Sequence, residues 1–270
     1  MTGRIVFIGG GQMAGSLIGG LLAANHAPGS IGVAEPDASR RAVLQRDFGV
    51  DVSEPSAEVA AGAAAVVLAV KPQVLREAVQ DLALPKTCTV ISIAAGIRID
   101  SLRRWLRQPA ALVRCMPNTP ALLGVGVSAL YAPAGTPPAS RTLAESVLTA
   151  VGATCWIPEE DQLDAVTALS GSGPAYFFLL TEALRDAGRA LGLDAETASL
   201  LAQKTLAGAG RMAETGRDVA ELRAQVTSRG GTTAAALSHF EAQGFGALVQ
   251  AAVTAAAHRS RELGTELANT

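Results

Sequence analysis

Gly9-Gly10-Gly11-Gln12-Met13-Ala14 lies where an apolar stretch, Arg4–Ile8, gives way to helical periodicity from about Met13 to Ala24. In the pattern G-x-G-x-x-A the first glycine permits a tight turn and the second lets the backbone approach a pyrophosphate. The alanine lets the helix pack close to the strand. N–H groups at the helix start then face the anion. Glu35 closes the next apolar stretch, Ile31–Ala34, at about the distance where an acidic side chain meets a ribose diol. The chemistry predicted is binding of NADH or NADPH. Glu35 would repel a 2′-phosphate, whereas Arg40 and Arg41, about one helical turn on, would attract it. Both cofactors therefore stay open, with a lean to NADH because Glu35 is the nearer group.

A second constellation is Ser228-Arg229-Gly230-Gly231-Thr232-Thr233. The glycines let the backbone turn, and Thr232 and Thr233 stand at a predicted helix start with hydroxyls and N–H donors. Ser228, Gly231, Thr232 and Thr233 make a candidate carboxylate anchor, although simple helix capping by threonine explains the same residues. Ser170–Gly173 reads either as room for a ligand or as a flexible lead into a helix beginning at Pro174. Tyr176, followed by Phe177 and Phe178, reads as core. The three cysteines (Cys88, Cys115, Cys155) and three histidines (His26, His239, His258) are dispersed, so no metal site is expected.

Positioning these groups calls for two kinds of framework. Apolar runs at Arg4–Ile8, Ile31–Ala34, Ala63–Val70, Thr87–Ala94 and Ala111–Cys115 alternate with helical stretches around Ala38–Phe48, Val74–Leu82 and Ser101–Leu106. Continuous apolar strands alternating with helices predict right-handed parallel units. After Trp156-Ile157-Pro158 no further strand is expected, only helices. The fold class is α/β: a Rossmann-like doubly wound, mostly parallel sheet domain over residues 1–158, followed by an all-α dimerisation domain over 159–270. Ligands in such sheets lie beyond the carboxyl ends of the strands. That adds Ala69-Val70-Lys71-Pro72, Ala94-Ala95-Gly96 and Met116-Pro117-Asn118 as cofactor-binding candidates.

The formal charge is −2 with acids and bases mixed, which argues against nucleic acid and membrane surfaces as partners. No apolar run is long enough to cross a bilayer, and the start of the chain leaves no room for a signal peptide, so a cytoplasmic location is expected. Stripes of Ala and Gly in the later helices predict association with a second copy.

Val70–Pro72, Ser92–Gly96, Arg114–Ala121, Asp164–Tyr176 and Val226–Leu237 together resemble pyrroline-5-carboxylate reductases in order and spacing, over essentially the whole chain. The resemblance implies reduction of 1-pyrroline-5-carboxylate to L-proline, the last step of proline biosynthesis. It also implies a homodimer through the helical domain and a decamer of dimers beyond it. By position it implies cofactor contacts from Ile8, Gly9, Gly10, Gly11, Gln12 and Met13, from Ala69 to Pro72 and from Ala94 to Gly96. It implies substrate contacts from Glu160, Thr232 and Thr233, with Thr233 as the catalytic candidate. Arg229 departs from the family's usual proline, which loosens that turn. A cyclic imine is most electrophilic when its nitrogen is protonated, and this happens without a strong side-chain acid. The alternative is a related two-domain NAD(P)-dependent dehydrogenase acting on another imine or a hydroxy acid. Lys71, Lys86 and Lys204, the only lysines, lie outside the setting a hydroxy-acid enzyme needs.

Overall fold

The computed structural model describes residues 3–106, 108 and 110–268, without the side chain of residue 268. The chain forms two compact units. One comprises residues 1–172 with 256–270, and the other Gly173–Ala255.

In the first unit the strands are β1 (Arg4–Ile8), β2 (Ile31–Ala34), β3 (Asp51–Ser53), β4 (Ala63–Leu68), β5 (Thr89–Ser92), β6 (Ala111–Met116), β7 (Gly126–Tyr131) and β8 (Gly152–Trp156). They lie in the order β3-β2-β1-β4-β5-β6-β7-β8. Every pairing is parallel except β6 with β7, which is antiparallel. The helices are α1 (Gln12–Ala23), α2 (Ala38–Phe48), α3 (Pro72–Val79), α4 (Ile99–Leu106), α5 (Pro138–Thr149) and α6 (Gln162–Val166). Alternate residues of β1 serve opposite faces. Ile5 and Phe7 join the Leu17, Ile18 and Leu21 face of α1, whereas Val6 and Ile8 join Leu75 and Val79 of α3 with Leu102 of α4. Burial on both faces is what an unbroken apolar strand requires, and the sheet is doubly wound as expected. Sequence reading named neither β3, β7, β8 nor α5. Edge strands β3 and β8 are partly exposed and carry polar residues, so their apolar signal is weak.

The expected division after residue 158 marks the end of the strands, not of the compact unit. Past β8, α6 packs on β6 and β7, and Asp164 accepts a 2.6 Å hydrogen bond from the Ser260 hydroxyl. Residues 159–172 and the last turns of the final helix thus pack with the sheet.

The second unit consists of α7 (Gly173–Ala190), α8 (Ala195–Ala213), α9 (Val219–Gln225), α10 (Thr232–Ala242) and the opening turns of α11 (Phe245–Ala268). Asp194 caps α8 by accepting from Thr197 N–H at 2.9 Å. Gly192, at φ +98°, ends the α7 region. Gly188 leaves room for Leu193 and Ala198 where α7 meets α8.

Candidate active site

The strand order turns outward on either side of β1 and β4, and the predicted cofactor loops stand together at that point. Gly9 follows β1 with φ +96°, a conformation only glycine adopts freely. A Cβ there would lie 2.7 Å from Val70 Cγ1 and 3.0 Å from the Ala69 carbonyl oxygen. The turn after β1 and the Ala69–Pro72 turn after β4 are therefore in direct contact. Next along the sheet, Ala94–Gly96 follows β5, with Gly96 at φ +78° and its face closed by Gly264.

Gly11 is the N-cap of α1 and has open space where a Cβ would stand: the nearest atom is the Ala69 oxygen at 4.0 Å. No side chain caps this helix. Its first N–H groups and the positive end of its dipole therefore suit an anion. Helices α2, α8 and α9 differ, because Asp37, Asp194 and Asp218 close their starts. These residues fit the pyrophosphate of a dinucleotide.

Glu35 and Arg40 have a duty beyond the one expected of them. The Glu35 carboxylate accepts from Gly10 N–H at 2.8 Å and from Asp37 N–H at 3.0 Å. Arg40 Nε donates to the Gly10 carbonyl at 2.7 Å. The two peptide groups that flank Gly10 are thereby each held, one by Glu35 and the other by Arg40, and the acidic group stands beside the turn. Arg41 is committed elsewhere, donating to the Glu35 and Pro36 carbonyls and pairing with Glu54 at 2.9 Å. A cavity of about 480 Å³, lined by Ile8, Gly9, Ala34, Pro36 and Val70 among others, opens next to this strand end. Gln12 and Lys71 are exposed, and Met13 is partly buried.

Two predicted contacts are engaged within the protein. Glu160 Oε1 accepts from Ile99 N–H and from Arg114 Nη1, each at 2.7 Å, while Oε2 lies 3.5 Å from Arg98 Nη2. Arg114 and Glu160 side chains are only 8% and 13% exposed. Burial pulls the Arg114 guanidinium below its ordinary pKa, and the Glu160 carboxylate pulls it back up. Glu160 is a strut between β6, the start of α4 and the segment before α6. Arg114 went unnoticed as its partner, although an arginine inside an apolar run was the available signal. Asn118, a cofactor-binding candidate by its place beyond β6, bridges Val127 N–H and the Ser170 carbonyl.

In the second unit, the Ser228–Thr233 corner has the predicted form. Gly230 has φ +71°, and a side chain on Gly231 would collide with the Ser228 hydroxyl. Gly231 is the N-cap of α10, again without a side-chain cap, although the Ser228 hydroxyl stands closer to it than any atom does to Gly11. Thr232 is exposed and Thr233 partly buried. Among the described residues no group of three His, Cys, Asp or Glu side chains is placed to hold a metal ion.

Comparison with known proteins matches these parts. Residues 4–96 fit the family model "NADP oxidoreductase coenzyme F420-dependent", and residues 160–263 fit "Pyrroline-5-carboxylate reductase dimerisation". A pyrroline-5-carboxylate reductase of Pseudomonas aeruginosa is 51% identical, with 98% of both chains covered. The solved structure of a pyrroline-5-carboxylate reductase from Coxiella burnetii superposes with a TM-score of 0.92 at 40% identity, covering 97% of this chain and 99% of that one. A Plasmodium falciparum pyrroline carboxylate reductase with NADP bound gives 0.83 at 28% identity, covering 97% and 98%. With relatedness of this degree running from the glycine turn to the final helix, the chain belongs to the pyrroline-5-carboxylate reductase family.

Proposed function

We propose that this chain is an NAD(P)H-dependent oxidoreductase that reduces the C=N bond of 1-pyrroline-5-carboxylate to L-proline, completing proline biosynthesis. The observation that carries the reading is the open, glycine-capped start of α1 beside Glu35, in a chain related to these reductases along 98% of its length. When bound, the reduced nicotinamide supplies the hydride. The protein's part is to hold and align. Ile8 to Met13 and Ala69 to Pro72 would hold the pyrophosphate side, with Ala94 to Gly96 toward the nicotinamide. Glu35 would accept from the ribose hydroxyls and disfavour a 2′-phosphate, which makes NADH the preferred of the two cofactors.

The substrate's carboxylate would rest on the free N–H groups and hydroxyls at the start of α10, from Thr232 and Thr233, with Ser228 and Gly231 shaping the turn. Thr233 is the residue given a catalytic part, through its hydroxyl beside the substrate. The imine nitrogen enters protonated, so no side chain has to supply that proton. The proposal places the protein in the cytoplasm as a homodimer through its helical half, with dimers assembling further to a decamer. Among the described residues no helix is long and apolar enough to cross a membrane.

The test is loss of nicotinamide absorbance when protein, reduced cofactor and pyrroline-5-carboxylate are mixed. Turnover is expected, and its absence would sink the reading. Thr233→Ala should raise KM for the imine by roughly tenfold, as for one lost hydrogen bond to a charged group, while cofactor affinity stays put. Arg229→Pro should leave turnover measurable.

A further inference from the structure

Asn118 draws attention because of what its amide holds. The residue is buried, its Oδ1 accepting from Val127 N–H at 2.9 Å and its Nδ2 donating to the Ser170 carbonyl at 3.2 Å. Ser170 lies in a widened helical turn, Thr167–Gly171, in which Ser172 N–H reaches back five residues to the Thr167 carbonyl at 2.8 Å. Such π-type turns are frequent at functional sites. The sequence explains the vacancy that Asn118 fills. An α-helix would have residue 174 donate to the Ser170 carbonyl, but residue 174 is proline and has no N–H. Gly171 completes the contact, since a Cβ there would lie 2.6 Å from Met116 Cε. Met116 and Asn118, at and just beyond the end of β6, thus grip two successive residues of the turn.

We infer that Asn118 is a positioning residue for the reaction: it ties the widened turn at Ser170 to the carboxyl end of β6 and the start of β7. It thereby fixes the small-residue stretch Ser170–Ser172 against the end of the sheet where ligands collect. The inference rests on the reductase reading. Its function is to keep that stretch from drifting, so the substrate, more than the cofactor, feels its loss.

Asn118→Asp separates the two bonds, because it keeps an acceptor for Val127 N–H and removes the donor to Ser170. At about pH 8 the variant should show a KM for pyrroline-5-carboxylate raised roughly tenfold, the size expected for an orphaned buried acceptor. Its dissociation constant for reduced cofactor, read from nicotinamide fluorescence, should stay within about twofold of the parent's. Burial raises a carboxyl's pKa, so toward about pH 6 the protonated group regains a donor and the KM ratio of variant to parent should shrink. A merely structural role instead lowers stability and weakens substrate and cofactor together, with no selective rise in KM to recover. If Asn118→Asp does not fold, Asn118→Ala, which removes the tie to Ser170 without burying a charge, must produce the same substrate-selective defect. Parental KM in the folded variant, or a KM rise matched by weaker cofactor binding with no recovery in acid, overturns the inference. A parent protein without turnover instead overturns the reductase reading beneath it.

Discussion

Strands β1, β2, β4 and β5 carry Phe7, Ile31, Val67 and Ile91 at 0% exposure, whereas α7 leaves Phe177 at 60%, Phe178 at 59% and Leu179 at 67%. The same contrast holds for α11, whose opening turns show Leu248 at 68%. The sheet unit closes a core on each face from its own side chains. The helical unit buries little beyond Ala198 and Ala202, where α7 meets α8. Large apolar side chains in the open mark surfaces meant to be covered, and the match of residues 160–263 to a dimerisation model names the cover. The sheet unit therefore completes its core alone, whereas the helical unit keeps apolar faces of the kind a second copy would cover.

The sharpest way to break this comparison is to charge the open face. Leu179→Asp combined with Leu248→Asp should abolish dimers at micromolar concentration. Each buried interface anchor is worth about 2 kcal/mol or more, so the pair should weaken association by roughly a thousandfold. Sedimentation would read the mass and circular dichroism the helix content, which should fall while the sheet unit stays folded. A dimeric, fully helical double variant would mean that these helices are covered by something else.

The next largest effect lies inside the sheet unit. Glu160→Gln leaves the buried Arg114 guanidinium without its counter-charge, and loss of one partner from such a pair costs about 3 kcal/mol. Denaturant unfolding should show that loss with cofactor affinity unchanged. An equally stable variant would remove Glu160 as the strut and reopen it as a substrate contact.

Legibility followed the same division. Runs such as Ala63–Leu68 announce themselves because burial on both faces leaves no polar residue to blur the pattern. β8, half in solvent, gives no such signal. Gly9, Gly11, Gly230 and Gly231 were readable because their backbone demands are local. The partners of Asn118 and Glu160 were not, since Ser170 and Arg114 lie 52 and 46 residues away. In the helical unit the Ala and Gly stripes announced a second copy, but Phe177 and Phe178, read with Tyr176 as core, face outward, because periodicity reports a stripe without saying who covers it.

A smaller effect concerns cofactor choice. Glu35→Gln keeps an acceptor for Gly10 N–H but removes the charge that opposes a 2′-phosphate. The ratio of NADPH to NADH affinity should rise by about tenfold, or 1.4 kcal/mol, with the turn intact. A parent protein that already binds NADPH more tightly would shift the assignment to Arg40.

The smallest effect tests how sealed the sheet interior is. Burial pushes the Cys88 thiol up to about 11 and raises Cys115 as well, while Cys155 is exposed on edge strand β8. Only the thiolate attacks a labelling reagent, so near pH 8 the native protein should react quickly at Cys155 alone and at all three sites once unfolded. The same shift fixes a sign. Below pH 9.0, the thiol's ordinary value, both states keep the proton. Between there and about 11 only the unfolded chain releases it, so buried Cys88 lowers stability as pH rises through that window. Replacing Cys88 with Ala should flatten that alkaline decline even though the cavity lowers stability at neutral pH. An unchanged slope would mean that the interior around β4 and β5 opens to solvent far more readily than the strands' burial implies.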